Sequence, residues 1–304
     1  MSIALIGFGT QGKKRSKILS KQKLLHYIVD PFYSKADSKY ITELNYKIKY
    51  AFLCTPDQIK YELIIYLLRK NINVLVEKPL YFENVNSYSV ISNILKKQLK
   101  AKLYVAYNHR FEPNIIRIKK YLKKNIIGKI YSVEMYYGNG TAKLWSSSNW
   151  RKKEKKGVIM DLAPHLLDIY LFLFAKLPTK PFFLNLAKFE NVNVDYAKFG
   201  SQNKNTITTF TTSLIDWKNK FEINIIGNMG SLHVQNLCKW GNSNFIYRKR
   251  VLPSGKPKDL IIKEKKGDTT WKIEHEYFLK KRNKNITNFD NDMKIKKFID
   301  CLFL

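Results

Sequence analysis

Apolar residues fill positions 3 to 6 without a polar break, and the run stops at Gly7. A short continuous run closed by a turn residue predicts a buried strand over 2–6. A polar and basic stretch of helical length follows over 10–20. Residues 26–29 read as a second strand ending at Asp30-Pro31, and 50–54 as a third ending at Thr55-Pro56-Asp57. Proline is favourable in a first helical turn, so Pro56 and Asp57 open a helix that runs to Leu68. Strands at 73–76 and 103–106 flank a helix over 83–99. Strands alternating with helices at this spacing predict an α/β fold, with a doubly wound parallel sheet.

Beyond residue 125 the pattern changes. Residues 129–137 alternate apolar and polar as a half-buried strand does, and 157–173 is apolar at helical spacing. From 182 to 262 the chain is mostly strand-like, with turns at Gly200, Gly227–Gly230 and Gly241. Two helical segments follow, over 272–281 and 291–302. Many strands with few helices predict an α+β domain. The expected division is 1–122 for a nucleotide-binding domain and 123–304 for the α+β domain.

Composition changes this picture little. The chain has 304 residues, 45% hydrophobic, with a formal net charge of +31. The lysines are spread along the whole chain and accompany abundant Ile, Asn, Tyr and Phe, all residues of AT-rich codons. Genome composition therefore accounts for much of the charge, and no nucleic-acid partner is expected. The charge could also attract anionic small molecules or a membrane surface. No apolar run approaches the roughly 20 residues that span a bilayer. The N-terminus lacks a basic segment ahead of its apolar run, so the expected location is cytoplasmic. Cys54, Cys238 and Cys301 form no close pair and His109, His165, His233 and His275 are scattered, so neither a disulfide framework nor a metal site is expected.

Three local patterns carry chemistry. Gly7-Phe-Gly9-Thr10-Gln11-Gly12 lies between a strand and a helix, where glycines allow a tight turn, close approach of a pyrophosphate and close helix–strand packing. The helix N-terminus then faces phosphates with free N–H groups. Asp30 closes the second strand, where an acid accepts hydrogen bonds from ribose hydroxyls and repels a 2′-phosphate, which favours NAD over NADP. Glu77-Lys78-Pro79 sits at the carboxyl end of a parallel strand, where ligands of such sheets bind. Spacing alone leaves Lys78 an ordinary solvated lysine. Asp161 and His165, four apart, share a helix face, and Asp168 lies three further on. A histidine oriented by a carboxylate can carry a proton near neutral pH. Pro164 predicts a helix start near Ala163, which would make Asp161 a cap; pattern alone leaves function and structure equally open for both residues.

Taken in order, these motifs resemble the Gfo/Idh/MocA family of oxidoreductases, named for glucose-fructose oxidoreductase and inositol dehydrogenase. The resemblance extends over Thr55-Pro56, Glu77-Lys78-Pro79, Tyr107-Asn108-His-Arg110-Phe111-Glu-Pro113, Ile127-Gly128-Lys129-Ile130, Asn149-Trp150-Arg151, 157–168 and 226–232. It implies an N-terminal Rossmann domain, a C-terminal domain with a large open, mainly antiparallel sheet that binds substrate and oligomerises, and a nicotinamide cofactor held by Gly7, Gly9, Thr10, Gln11, Gly12, Asp30, Thr55, Pro56, Glu77, Lys78, Asn108, Trp150 and Arg151. It further implies Lys78, Asp161 and His165 as the catalytic set, with His165 as proton carrier. Asn108 and Arg110 are expected at a strand end facing the same crevice. Ala163, where glycine is common, and the basic loop 152–156 depart from the family pattern and bear on substrate contacts.

The implied activity is NAD-dependent hydride transfer at a secondary alcohol or ketone of a sugar, with a nucleotide sugar preferred because the basic loop suits a diphosphate. Two other readings fit the resemblance: a redox-neutral glycoside hydrolase that retains NAD, and a non-catalytic dinucleotide-binding regulator. A homodimer or homotetramer through the second domain's sheet is expected.

Overall fold

The computed structural model describes residues 2–44, 47–82, 84, 86–97, 101–145, 156–202, 205–265, 267–280 and 288–304. Packing divides the chain into two units, Met1–Tyr107 with Trp271–Met293, and Asn108–Thr270 with Lys294–Leu304. The sequence placed its boundary at 122. The difference is the segment after Tyr107, including the helix Pro113–Lys123, which groups with the second unit, and the return of 271–293 to the first.

The first unit is a five-stranded parallel sheet in the order β2-β1-β3-β4-β5. Its strands are β1 (Ile3–Ile6), β2 (Leu25–Val29), β3 (Tyr50–Leu53), β4 (Asn73–Glu77) and β5 (Leu103–Ala106). Helices α1 (Thr10–Lys21), α2 (Asp57–Arg69) and α3 (Asn86–Lys97) connect them. Strand residues alternate between faces. Ile3, Leu5, Phe52, Leu75 and Tyr104 form one buried cluster with Leu19 of α1 and Phe278 and Leu279 of a late helix, Thr270–Leu279. The intervening Ala4, Ala51, Val74 and Leu103 are equally dry, as expected for a sheet covered on both faces. At the β5 edge, Asn288 substitutes for a further strand: its amide donates to the Val105 carbonyl at 2.8 Å and its oxygen accepts the Val105 N–H at 2.7 Å.

In the second unit α4 (Pro113–Lys123) follows a single 3-10 turn, Asn108–Phe111. Then come β6 (Ile130–Gly138) and α5 (Val158–Phe174). The remaining strands are β7 (Phe182–Ala187), β8 (Tyr196–Gln202), β9 (Ile207–Ser213), β10 (Lys220–Gly227), β11 (Gly230–Gln235), β12 (Ser243–Lys249) and β13 (Asp259–Glu264). Helices α6 (Thr270–Leu279) and α7 (Phe289–Cys301) end the order of elements. The sheet runs β13-β12-β11-β10-β6-β9-β8-β7, antiparallel except where β6 pairs with β9. Alternate residues Val133, Met135 and Tyr137 of β6 and Phe221, Ile223 and Ile225 of β10 are buried. Helix α5 packs over β6, β8 and β9, and α4 over β11 and β12.

The helix α5 corrects one expectation. It begins at Val158 with Gly157 as its N-cap, and Pro164 lies inside it. Proline there forfeits one backbone hydrogen bond. Twelve other residues of this helix are buried, and burial of that extent outweighs a local preference to start later. Asp161 is consequently a first-turn residue rather than a cap.

Candidate functional site

The first unit gathers the glycine loop, Asp30, Thr55, Pro56, Glu77 and Lys78 at the carboxyl ends of β1 to β4. Because β2 and β3 lie on opposite sides of β1, the β1/β3 boundary is the topological switch point at which such sheets bind ligands. Gly7 has φ +90°, and a Cβ there would stand 2.7 Å from the Cys54 carbonyl, so only glycine serves. Its N–H donates to the Val29 carbonyl at 2.9 Å. A Cβ on Gly12 would lie 2.0 Å from the Gly7 carbonyl, so α1 is seated directly on the loop. Gly9, by contrast, faces open space: no atom lies within 4 Å of the position its Cβ would occupy. Gly9 caps α1, whose first turn carries Thr10 and Gln11 and no acidic residue. Thr55 Oγ1 is buried with no hydrogen-bond partner among the described residues. An open glycine face, free helical N–H groups and an orphaned hydroxyl fit a dinucleotide.

Asp30 does more than the sequence suggested. Its Oδ2 accepts the Phe8 N–H at 2.6 Å, and its Oδ1 accepts the N–H groups of Phe32 and Tyr33 at 2.7 and 2.9 Å. The carboxylate therefore shapes the glycine loop and the turn after β2, and Phe8 stacks on Tyr33 with centroids 4.0 Å apart.

The segment bearing Lys78 is held from two sides. Arg15 of α1, buried, donates to the Glu77 carboxylate and to Glu274 and His275 of α6. Burial works against the Arg15 charge, but Glu77 and Glu274 outweigh it and raise its pKa further. Lys60 of α2, also buried, donates to the carbonyls of Glu77 at 2.7 Å and Pro79 at 3.4 Å and pairs with Asp57 at 2.5 Å. The carbonyls on either side of Lys78 thus share one ammonium. No sequence signal pointed to Arg15 or Lys60, since each contact spans two separate elements.

In the second unit Asp161 and His165 lie one turn apart on α5, and His165 is buried. Its ring stacks on His109 with centroids 4.3 Å apart and planes inclined by 17°. The Tyr137 ring approaches at 5.8 Å, and its hydroxyl lies 3.2 Å from His109 Nε2 and 3.1 Å from Lys239 Nζ. Burial, then the charge of Asp161 followed by Asp268 and Glu112, pushes the Tyr137 phenol well above its usual range. Asp168 does not serve His165: both its oxygens accept from Arg110. Asn108 and Arg110 belong to the 3-10 turn rather than to a strand end, and Asn108 Nδ2 donates to Thr270 at 2.8 Å. Trp150 and Arg151 lie outside the described residues.

Sequence reasoning missed Tyr137 and Lys239 as members of this group. Tyr137 was readable as inward-facing from the alternation of β6. Lys239 sits in a turn, Cys238–Trp240, fixed by the buried Glu112, which accepts the Cys238 N–H at 3.2 Å, a contact that local pattern does not announce.

Two family models match. One, an oxidoreductase family NAD-binding Rossmann fold, covers residues 1–107, and the other, a GFO/IDH/MocA C-terminal domain, covers residues 115–233. The chain belongs to the Gfo/Idh/MocA oxidoreductases, and its first unit is their NAD-binding Rossmann domain. Among curated relatives, the levoglucosan dehydrogenase of Pseudarthrobacter phenanthrenivorans is 26% identical over 125 residues, 40% of this chain and 32% of that protein. The oxidoreductase P35 of Formosa agariphila is 25% identical over 135 residues, 42% of this chain and 41% of its own length. The chain therefore matches about a third to two fifths of these relatives' length. Solved structures agree on the fold over nearly the whole chain. A levoglucosan dehydrogenase in complex with NADH has a TM-score of 0.84 at 16% identity, covering 100% of this chain and 96% of that one. An Agrobacterium radiobacter oxidoreductase in complex with NAD+, L-tartaric acid and magnesium has a TM-score of 0.80 at 14% identity, covering 100% and 95%.

Among the described residues, no helix is long and apolar enough to cross a membrane.

Proposed function

We propose that the chain is an NAD-dependent dehydrogenase or reductase acting at a secondary alcohol or ketone of a sugar, with nucleotide sugars the preferred class. The observation that supports it most is the hold on Lys78. Two buried cations from different helices fix the side chain and backbone of its neighbour Glu77, an arrangement a merely solvated lysine does not need. Bound NAD supplies the hydride acceptor or donor at its nicotinamide ring. Gly9 leaves room for the pyrophosphate, and Thr55 offers an unused hydroxyl. Asp30 carries a negative charge beside the glycine loop, which favours NAD over NADP. His165 exchanges the hydroxyl proton, Asp161 assists it from the preceding turn, and Lys78 stabilises the developing alkoxide. The levoglucosan dehydrogenase relatives support a sugar as substrate.

Large apolar side chains stand exposed on β7, among them Phe182, Leu184 and Leu186. They support a homodimer or homotetramer formed through this sheet, which sedimentation at several concentrations checks.

The decisive experiment follows nicotinamide absorbance with NAD or NADH and a panel of sugars and nucleotide sugars that includes levoglucosan. A substrate-dependent change that Lys78→Ala abolishes supports the reading. NAD binding without any such change, or full turnover by Lys78→Ala, overturns it.

A further inference from the structure

The second unit contains two stacked histidines, His109 and His165. Their surroundings distinguish them. His109 Nε2 faces Lys239 Nζ at 3.5 Å and the Tyr137 hydroxyl at 3.2 Å. An ammonium has donors only. Lys239 also donates to the Tyr137 oxygen at 3.1 Å, which leaves the phenol proton to point at Nε2. Nε2 is then an acceptor, and the ring proton sits on Nδ1. The opposite arrangements fail: a neutral Nε2–H tautomer would aim its proton where the Lys239 ammonium, itself a donor, stands 3.5 Å away, and an imidazolium would place two cations that close around a histidine that is 4% exposed. Like charges that close in a buried place are strongly disfavoured.

The phenol can hold this role through neutral pH because burial and the nearby carboxylates of Asp161, Asp268 and Glu112 keep it protonated. Lys239 from the turn after β11, Tyr137 from β6 and His165 from α5 stand against His109 among the described residues. Trp240 completes the hold on the lysine, whose Nζ lies 4.6 Å from its ring centroid.

We propose that Lys239 and Tyr137 are positioning residues that lock His109 as a neutral Nδ1–H imidazole, so that His165, stacked on its face, alone gains and loses the proton. A neutral ring is a tolerant platform for a neighbouring imidazolium, whereas a charged one would repel it. This rests on the reading of His165 as proton carrier and extends it: the unit assigns one histidine to structure and the other to chemistry, and the lysine makes the assignment.

The test needs no substrate. Protein labelled with 15N in its imidazoles is titrated by NMR from about pH 5.5 to 8.5, the range in which an ordinary histidine changes charge. His109→Asn and His165→Asn assign the signals. The expected result is a His109 ring that stays neutral with its proton on Nδ1, beside a His165 ring that titrates. Lys239→Gln is expected to bring His109 into titration, and Lys239→Arg to keep it silent. Tyr137→Phe is expected to redistribute the His109 tautomers without charging the ring. A His109 signal that titrates in the native protein overturns the proposal whether or not the variants fold, and so does a His109 that remains silent in folded Lys239→Gln. Loss or retention of NADH formation in His165→Asn tests the dehydrogenase reading separately.

Discussion

Arg15 donates from Nε to Glu77 Oε1 at 2.5 Å, which ties helix α1 to the residue immediately before Lys78. The guanidinium is 1% exposed and also serves Glu274, which is 0% exposed. Removing one partner of a buried ionic group is far more damaging than never having the group, because the remaining charges stay desolvated. Arg15→Met is therefore expected to lose about 3–5 kcal/mol of stability in chemical denaturation. Arg15→Lys should recover only part of it, since a single ammonium cannot reproduce the fork that reaches Glu77, Glu274 and His275 at once.

This relationship also marks where the sequence stopped being legible. The glycine loop, Asp30 and the order of strands and helices were readable because each depends on neighbours within one turn or one strand. Arg15 looked like one more basic residue of a basic helix, and its partners lie 62 and 259 positions away. The same holds for Lys239, brought to Tyr137 by a turn whose anchor is Glu112. Helix α4 was not foreseen, although Pro113 stands at its first turn and Ile115, Ile118 and Leu122 recur at helical spacing. Pro164 misled in the other direction, since a local helix breaker was weighed without the burial that overrides it. Asp168 was read with His165 on spacing, whereas its carboxylate pairs with Arg110 from another element.

His275 gives the first unit an acid-sensitive element. Burial, with Arg15 adding to it, holds the imidazole far below its ordinary range, at about 2. The unfolded chain binds a proton there near pH 6.5 and the folded chain does not, so between these values the unfolded state takes up more protons. This contribution to stability is complete above about 6.5 and falls by about 1.4 kcal/mol for each pH unit below it. His275→Gln is expected to show a shallower decline of stability between about pH 6.5 and 4 than the native protein, measured as denaturation midpoints.

In the second unit, Asp168 is 1% exposed and Arg110 is 12% exposed. Burial pushes the Asp168 carboxyl above its usual range, and Arg110 pulls it back. Arg110→Gln should cost about 3–5 kcal/mol at neutral pH by stranding the carboxylate. The deficit depends on pH: with the folded carboxyl raised further, the folded state binds the extra proton first, so the deficit narrows as pH falls toward about 4. Arg110→Gln combined with Asp168→Asn should be more stable at neutral pH than Arg110→Gln alone, a non-additivity that a double-mutant cycle measures.

Gly9 and Gly12 separate folding from cofactor binding. Both belong to the same loop, but a Cβ on Gly12 meets the Gly7 carbonyl at 2.0 Å, whereas a Cβ on Gly9 meets nothing within 4 Å. Gly12→Ala must push α1 off the loop, a form of overpacking that costs about 1–3 kcal/mol, and is expected to lower both thermal stability and NADH affinity. Gly9→Ala has room in the free protein, and its φ of −68° suits alanine, so its melting temperature should match the native value. In the proposed placement of the cofactor, the space it fills is nevertheless the face through which the pyrophosphate approaches the helix N-terminus. NADH affinity, read by fluorescence titration, should therefore fall by roughly tenfold or more, about 1.4 kcal/mol or greater. If Gly9→Ala binds NADH as the native protein does, the pyrophosphate does not pass over Gly9, and the placement of the cofactor on this loop is wrong.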